Sequence, residues 1–164
     1  MKIFAIDPGT TQSAYVEMCS DYTITWADIV PNDDLLCRIH DLYFDSNQVN
    51  IVCEQVESFG MAVGKEVFQT VHWIGRFHQQ SISRWLNFEL VPRRTIKMYW
   101  CKSVRATDSN IWQSMTDLWG PPGTKKEPGK LYGIKSHQRS ALAIAGWKLD
   151  ALGERNEQTV TDNH

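Results

Sequence analysis

Apolar and polar positions recur on two different periods along this chain, and the switches between those periods lay out its elements. Lys2-Ile3-Phe4-Ala5-Ile6-Asp7 is a short apolar run that ends on an acid. Pro8-Gly9 then turns the chain back toward Ser13-Ala14-Tyr15-Val16, which predicts paired strands at 2–7 and 12–18. A third strand is predicted at 22–30. Val49-Asn50-Ile51-Val52-Cys53-Glu54 repeats the first pattern, an apolar run into a carboxylate, and predicts a strand at 49–54; a last one is expected at 88–91. Helical spacing of apolar residues predicts helices at 33–46, 64–86, 109–119 and 136–152. Three opening strands followed by alternating helices and strands imply an α/β fold, a mixed β-sheet flanked by helices. In helix 64–86, Val67, Val71, Ile74, Phe77, Ile82 and Trp85 fall at helical spacing, and Phe68, His72 and Trp73 add more aromatic surface than one sheet face covers. That surface reads as plain core or, in part, as a contact for a second copy.

Length and composition bound the reading. The 164 residues suffice for one domain with a real core and no staples, taken as 1–153 followed by a polar tail at 154–164. Gly120 to Gly129 reads as a turn-rich, mobile linker. No apolar run approaches the ~18 residues of a membrane span, and the N-terminus is a core strand without a basic-then-apolar leader, so a soluble, non-exported protein is expected. Cys19, Cys37, Cys53 and Cys101 are scattered without a Cys-x-x-Cys pair, which argues against a zinc knuckle and for reduced thiols in a cytoplasm. The net charge of −2 hides a strong segregation. Residues 93–139 hold ten Lys/Arg against three acids, a balance of +7 that leaves −9 on the rest. Such a segment is the footprint of a polyanionic partner or, alternatively, a solvated basic face.

The candidate chemistry lies where strands end. Neighbouring strand ends in one sheet stand about 5 Å apart, so Asp7 and Glu54 can share a divalent cation that relieves their repulsion. Alone, Asp7 is also an ordinary turn opener. His137 and Ser140 are three residues apart in the first turn of the Ala/Leu/Ile-rich helix and therefore on one face; a lone His there is also a cap or a packed residue. Between Glu54 and the long helix, Phe59 and Met61 form an apolar tip near Gly60 and Gly64 that either enters an opened base step or tucks into the core. Asp108 precedes a helix, as an N-cap or as a supplementary metal ligand.

Three ordered blocks resemble the RuvC-like Holliday junction resolvases of the RNase H-like superfamily, especially small phage-encoded members. They are Ala5-Ile6-Asp7-Pro8-Gly9-Thr10, Cys53-Glu54-Gln55-Val56, and His137-Gln138-Arg139-Ser140-Ala141-Leu142-Ala143-Ile144-Ala145, with weaker likeness at Arg94-Thr95-Ile96-Lys97 and from Arg105 to Ile111. The resemblance implies a Mg2+- or Mn2+-dependent endonuclease that cuts branched DNA, with two cations per active site. Asp7 would bridge the cations, Glu54 would hold the first, and His137 would ligate one or act as a base. Lys97, on a strand-like run after Arg94, would neutralise charge on the phosphate. The candidate DNA contacts are Phe59 and Met61 of the apolar tip and, from the basic segment, Arg94, Lys97, Arg105, Lys125, Lys126, Lys135 and Arg139. The resemblance also implies homodimerisation through helix 64–86 and a cytoplasmic setting in a bacterial or phage-infected host. Two positions depart from the family pattern: Ser140 stands where an Asp is usual and Asp108 where a lysine is frequent. Two rival readings follow, a non-catalytic branched-DNA binding protein with a degraded metal site and an RNase H-like nuclease for flaps or RNA–DNA hybrids.

Overall fold

Five strands form one sheet in a computed structural model that describes residues 1–42, 49–58, 60 and 62–153. β1 (Lys2–Asp7), β2 (Gln12–Cys19) and β3 (Ile24–Pro31) form an antiparallel meander. α1 (Asn32–Asp41) then leads to β4 (Val49–Gln55), parallel to β1, and α2 (Lys65–Ser83) leads to β5 (Asn87–Pro92), parallel to β4. The strand order is β3-β2-β1-β4-β5, followed in the chain by α3 (Arg93–Cys101), α4 (Asp108–Trp119) and α5 (Ser136–Ala151). The mixed sheet flanked by helices is the architecture expected from the alternation of patterns.

Strand periodicity sorts the central side chains onto two faces. Phe4, Ile6, Ile51 and Cys53 pack beneath α1 and α2 with Leu35, Ile39, Ile74 and Phe77. Ile3, Ala5, Val16 and Val52 face the other way, onto α5 and the ends of α3 and α4. The buried run Ala141–Gly146 gives α5 its small, close-packing surface. At Gly146 an added Cβ would lie 2.7 Å from the Trp119 ring and 2.9 Å from Trp100, so both indoles lock into the gap that this glycine leaves. Trp100 Nε1 also donates to the Ala143 carbonyl at 3.0 Å, which ties α3 to α5.

Several element limits differ from expectation. The strand-like run through Lys97 is a helix, α3: Pro92 ends β5 in extended backbone, and Lys102 closes the helix in the left-handed conformation at φ 55°. α2 stops at Ser83, and Trp85 sits beyond it at φ 58°, ending the helix short of the expected residue 86. Thr107, not Asp108, caps α4, in a reciprocal capping box with Asn110, and Asp108 becomes the first helical residue. The Gly120–Gly129 stretch closes on itself: Thr124 N–H donates to the Glu127 carbonyl at 3.0 Å and Gly129 N–H to the Pro122 carbonyl at 2.9 Å. The expected end of helix 33–46 and the polar tail at 154–164 lie outside the described residues.

Candidate active site

Asp7 and Glu54 leave neighbouring parallel strands together. Ile6 pairs with Cys53 in register, so the next residue of each strand is a carboxylate, and alternation turns both toward the α5 side. The turn that ends β1 is pinned from below. Gly9 N–H donates to Ser13 Oγ at 3.1 Å, Ser13 Oγ donates to Asn32 Oδ1 at 2.6 Å, and Asn32 Nδ2 donates to the Gly9 carbonyl at 3.0 Å. Gly9 is required there, because a Cβ would lie 2.2 Å from the Gln12 carbonyl oxygen. Asp7 is thereby rooted in a rigid hairpin rather than in a loop.

Three other side chains meet the strand-end acids. His137, in the first turn of α5, hydrogen-bonds through Nδ1 with Asp7 Oδ2 at 2.9 Å. It borders two clefts, one with Asp7, Pro8 and Thr10 and one with Arg93, Asp108 and Ser140. Arg93, the first residue of α3, donates through Nη1 to Glu54 Oε2 at 2.9 Å; its Nη2 donates to Asp108 Oδ1 and reaches Ser140 Oγ at 3.5 Å. Arg93 was not among the site residues expected from sequence. The β4–β5 pairing brings it in: Phe88-Glu89-Leu90-Val91-Pro92 is a strand whose exit, beside Glu54, is occupied by Arg93.

Burial shapes the electrostatics. The Glu54 carboxyl is pushed up to about 7, first by burial and then by the Asp7 charge, against the pull of Arg93. Asp7 is also raised by burial, with His137 and then Arg93 opposing. Burial works against the charge on both acids, and a bound cation would oppose that effect. The donor set fits one hard divalent cation held by Asp7 and Glu54 and completed by water and phosphate, the usual manner for Mg2+. It does not supply a second site of the same kind: position 140 offers a hydroxyl, and Asp108 and one oxygen of Glu54 are engaged by Arg93. No group of three or more His, Cys, Asp or Glu side chains among the described residues is arranged to hold a metal ion.

The remaining expected positions are spread around this centre. Lys97 lies one turn beyond Arg93 on the same face of α3, and the side chain brought onto Glu54 is Arg93. Arg94 is exposed, its Nη2 3.6 Å from Glu57 Oε1. Arg105 is exposed between α3 and α4, Lys125 and Lys126 in the closed loop, and Lys135 just before α5. Arg139 is exposed, with its guanidinium 4.1 Å over the Trp112 ring. Phe59 and Met61 lie outside the described residues.

No family model and no curated protein sequence matches the chain. Solved structures do. Thermus thermophilus RuvC in complex with a Holliday junction substrate superposes with a TM-score of 0.66 at 16% identity, over 88% of this chain and 90% of that one. A second Thermus thermophilus RuvC structure gives 0.63 at 16%, over 88% and 91%. The yeast mitochondrial Holliday junction resolvase Ydc2 gives 0.57 at 14%, over 96% and 82%. The mixed five-stranded sheet with its flanking helices therefore has the RNase H-like fold in the form taken by the RuvC-type Holliday junction resolvases.

Proposed function

We propose that this chain is a divalent-metal-dependent endonuclease of branched DNA, with four-way junctions as its preferred substrate. The observation that carries this reading is the pair of buried carboxylates at adjacent parallel strand ends, with His137 on Asp7, in a fold shared with junction resolvases. Asp7 and Glu54 would hold Mg2+ or Mn2+, which when bound supplies an acidified water and charge neutralisation at the phosphate. His137 keeps Asp7 oriented through the 2.9 Å bond and stands where it can take a proton from attacking water. Hydrolysis forms a bond from the water oxygen to phosphorus and breaks the bond to the 3′ oxygen, which leaves and is protonated by solvent. Lys125, Lys126, Lys135 and Arg139 hold the flanking phosphates.

A homodimer suits a two-fold junction. Phe68, Val71, Ile82 and Trp85 on or beside α2 are 64%, 49%, 52% and 90% exposed, a surface ready for a second copy.

The rival reading, a binding protein without catalysis, draws on Ser140 and on the Arg93 grip of Glu54. Nicking of four-way junction, flap and RNA–DNA hybrid substrates with Mg2+ separates the readings. Junction nicking that Asp7→Asn abolishes, with binding intact or tighter, is the expected outcome. Undiminished cutting by Asp7→Asn overturns the metal-site assignment, and junction binding without nicking favours the rival.

A further inference from the structure

Resting on the metal-dependent reading above, we propose that Arg93 is a resident second cation: its guanidinium takes the place of a second divalent metal, and the centre binds one metal ion per chain.

The geometry carries this. Arg93 joins three elements at the site, with Glu54 from β4 on Nη1, and Asp108 from α4 and Ser140 from α5 on Nη2. Its side chain is 21% exposed, Glu54 20%, so the contact with Glu54 is sheltered from solvent. One partner, Ser140, suits a guanidinium better than a metal. A neutral hydroxyl is a poor ligand for a hard divalent cation but an ordinary acceptor for an N–H. Asp108, whose side chain is 77% exposed at the start of α4, spends its carboxylate on Arg93 rather than on the strand-end acids. Oε2 of Glu54 is taken by Arg93 and Oδ2 of Asp7 by His137, so Oε1 of Glu54 and Oδ1 of Asp7 remain for one cation.

A paired metal centre places its ions about 3.5–4 Å apart. Arg93 already holds the Glu54 oxygen that a second ion would need, and a fixed guanidinium that close repels another dication. Its three contacts at the site leave Nε–H and one Nη1–H of the five guanidinium N–H groups as separate donors for phosphate oxygens. Arg93 thus neutralises charge on the transferring phosphate, while Asp108 and Ser140 act as positioning residues that aim it.

The test is Mn2+ binding followed by electron paramagnetic resonance on the full chain, free and with a four-way junction. Exchange-coupled ions distinguish a shared centre from Mn2+ scattered on DNA phosphates. The expected result for wild type, and for Arg93→Lys, is one uncoupled protein-bound Mn2+ per chain. In the double variant Arg93→Ala with Ser140→Asp, checked for native circular dichroism, a second ion should bind and couple to the first. A coupled pair in wild type overturns the inference and leaves the nuclease reading standing. A double variant that folds and still binds a single ion also overturns it. No protein-bound Mn2+ in wild type overturns the metal-dependent reading itself, and the inference with it.

Discussion

Glu54 is caught between burial, which favours its neutral form and pushes it up to about 7, and Arg93, which pulls it down. In the unfolded chain its value is near 4.5. Between these two values the folded protein keeps a proton that the unfolded chain has lost. Stability without divalent cation therefore falls as pH rises from about 4.5 to about 7, then levels. The loss attributable to Glu54 is at most about 3 kcal/mol. Urea unfolding in chelator at pH 5 and pH 8 should show wild type losing stability and Glu54→Gln losing clearly less. Equal losses in the two proteins would remove Glu54 as the cause. At this scale the sequence was legible wherever a side chain ends an apolar strand or opens an apolar helix, as Asp7, Glu54 and His137 do. Arg93 was lost among ten basic residues of one segment, because nothing local marks which cation faces inward. That choice is made by the β4–β5 pairing, a contact between distant parts of the chain.

α3 was read as strand-like because Thr95, Ile96, Tyr99 and Trp100 are β-branched or aromatic, and such residues favour strands. The pattern that matters is sparser: Ile96 is fully buried and Trp100 follows it by four, enough to anchor a nine-residue helix once tertiary packing overrides propensity. α2 shows the opposite case, a helix whose existence was plain and whose apolar stripe splits in two. Ile74 and Phe77 go to the sheet, while Phe68, Val71 and Ile82 face outward. Gly75 lies between them on that outward face, and an added Cβ there meets nothing within 4 Å. A glycine inside a helix costs about 1 kcal/mol relative to alanine, so close approach of a second helix is the reading that accounts for it. On the proposed dimer, Gly75→Ala, adding a methyl at the contact, should weaken association modestly, and Gly75→Glu, adding a charge there, should shift sedimentation from dimer to monomer. Wild type sedimenting as a monomer at every concentration would end this account.

At the scale of the whole molecule, the basic segment 93–139 presents charges to solvent. Lys125, Lys126, Lys135 and Arg139 are exposed, and Arg139 is oriented by its stack on Trp112. Replacing both Lys125 and Lys126 with alanine should weaken junction binding and lower the slope of log affinity against log salt by about one unit per lost phosphate contact. An unchanged slope would place both lysines away from DNA. The α/β class, the β1–β2 pairing and the place of β4 beside β1 were legible from the sequence of patterns, because chain order restricts how periodic segments pair; the position of β5 and the helical state of α3 were not.

The order in which the centre is assembled has a consequence for the cell that makes it. Asp7, Glu54 and Arg93 emerge from the ribosome well before His137 and Ser140, and α5, which covers the sheet on the catalytic side, is the last described element to appear. A chain whose synthesis stops before Ser136 lacks both the histidine on Asp7 and the helix that buries the acids. On the proposed nuclease reading, interrupted translation products are thus disarmed by their own topology.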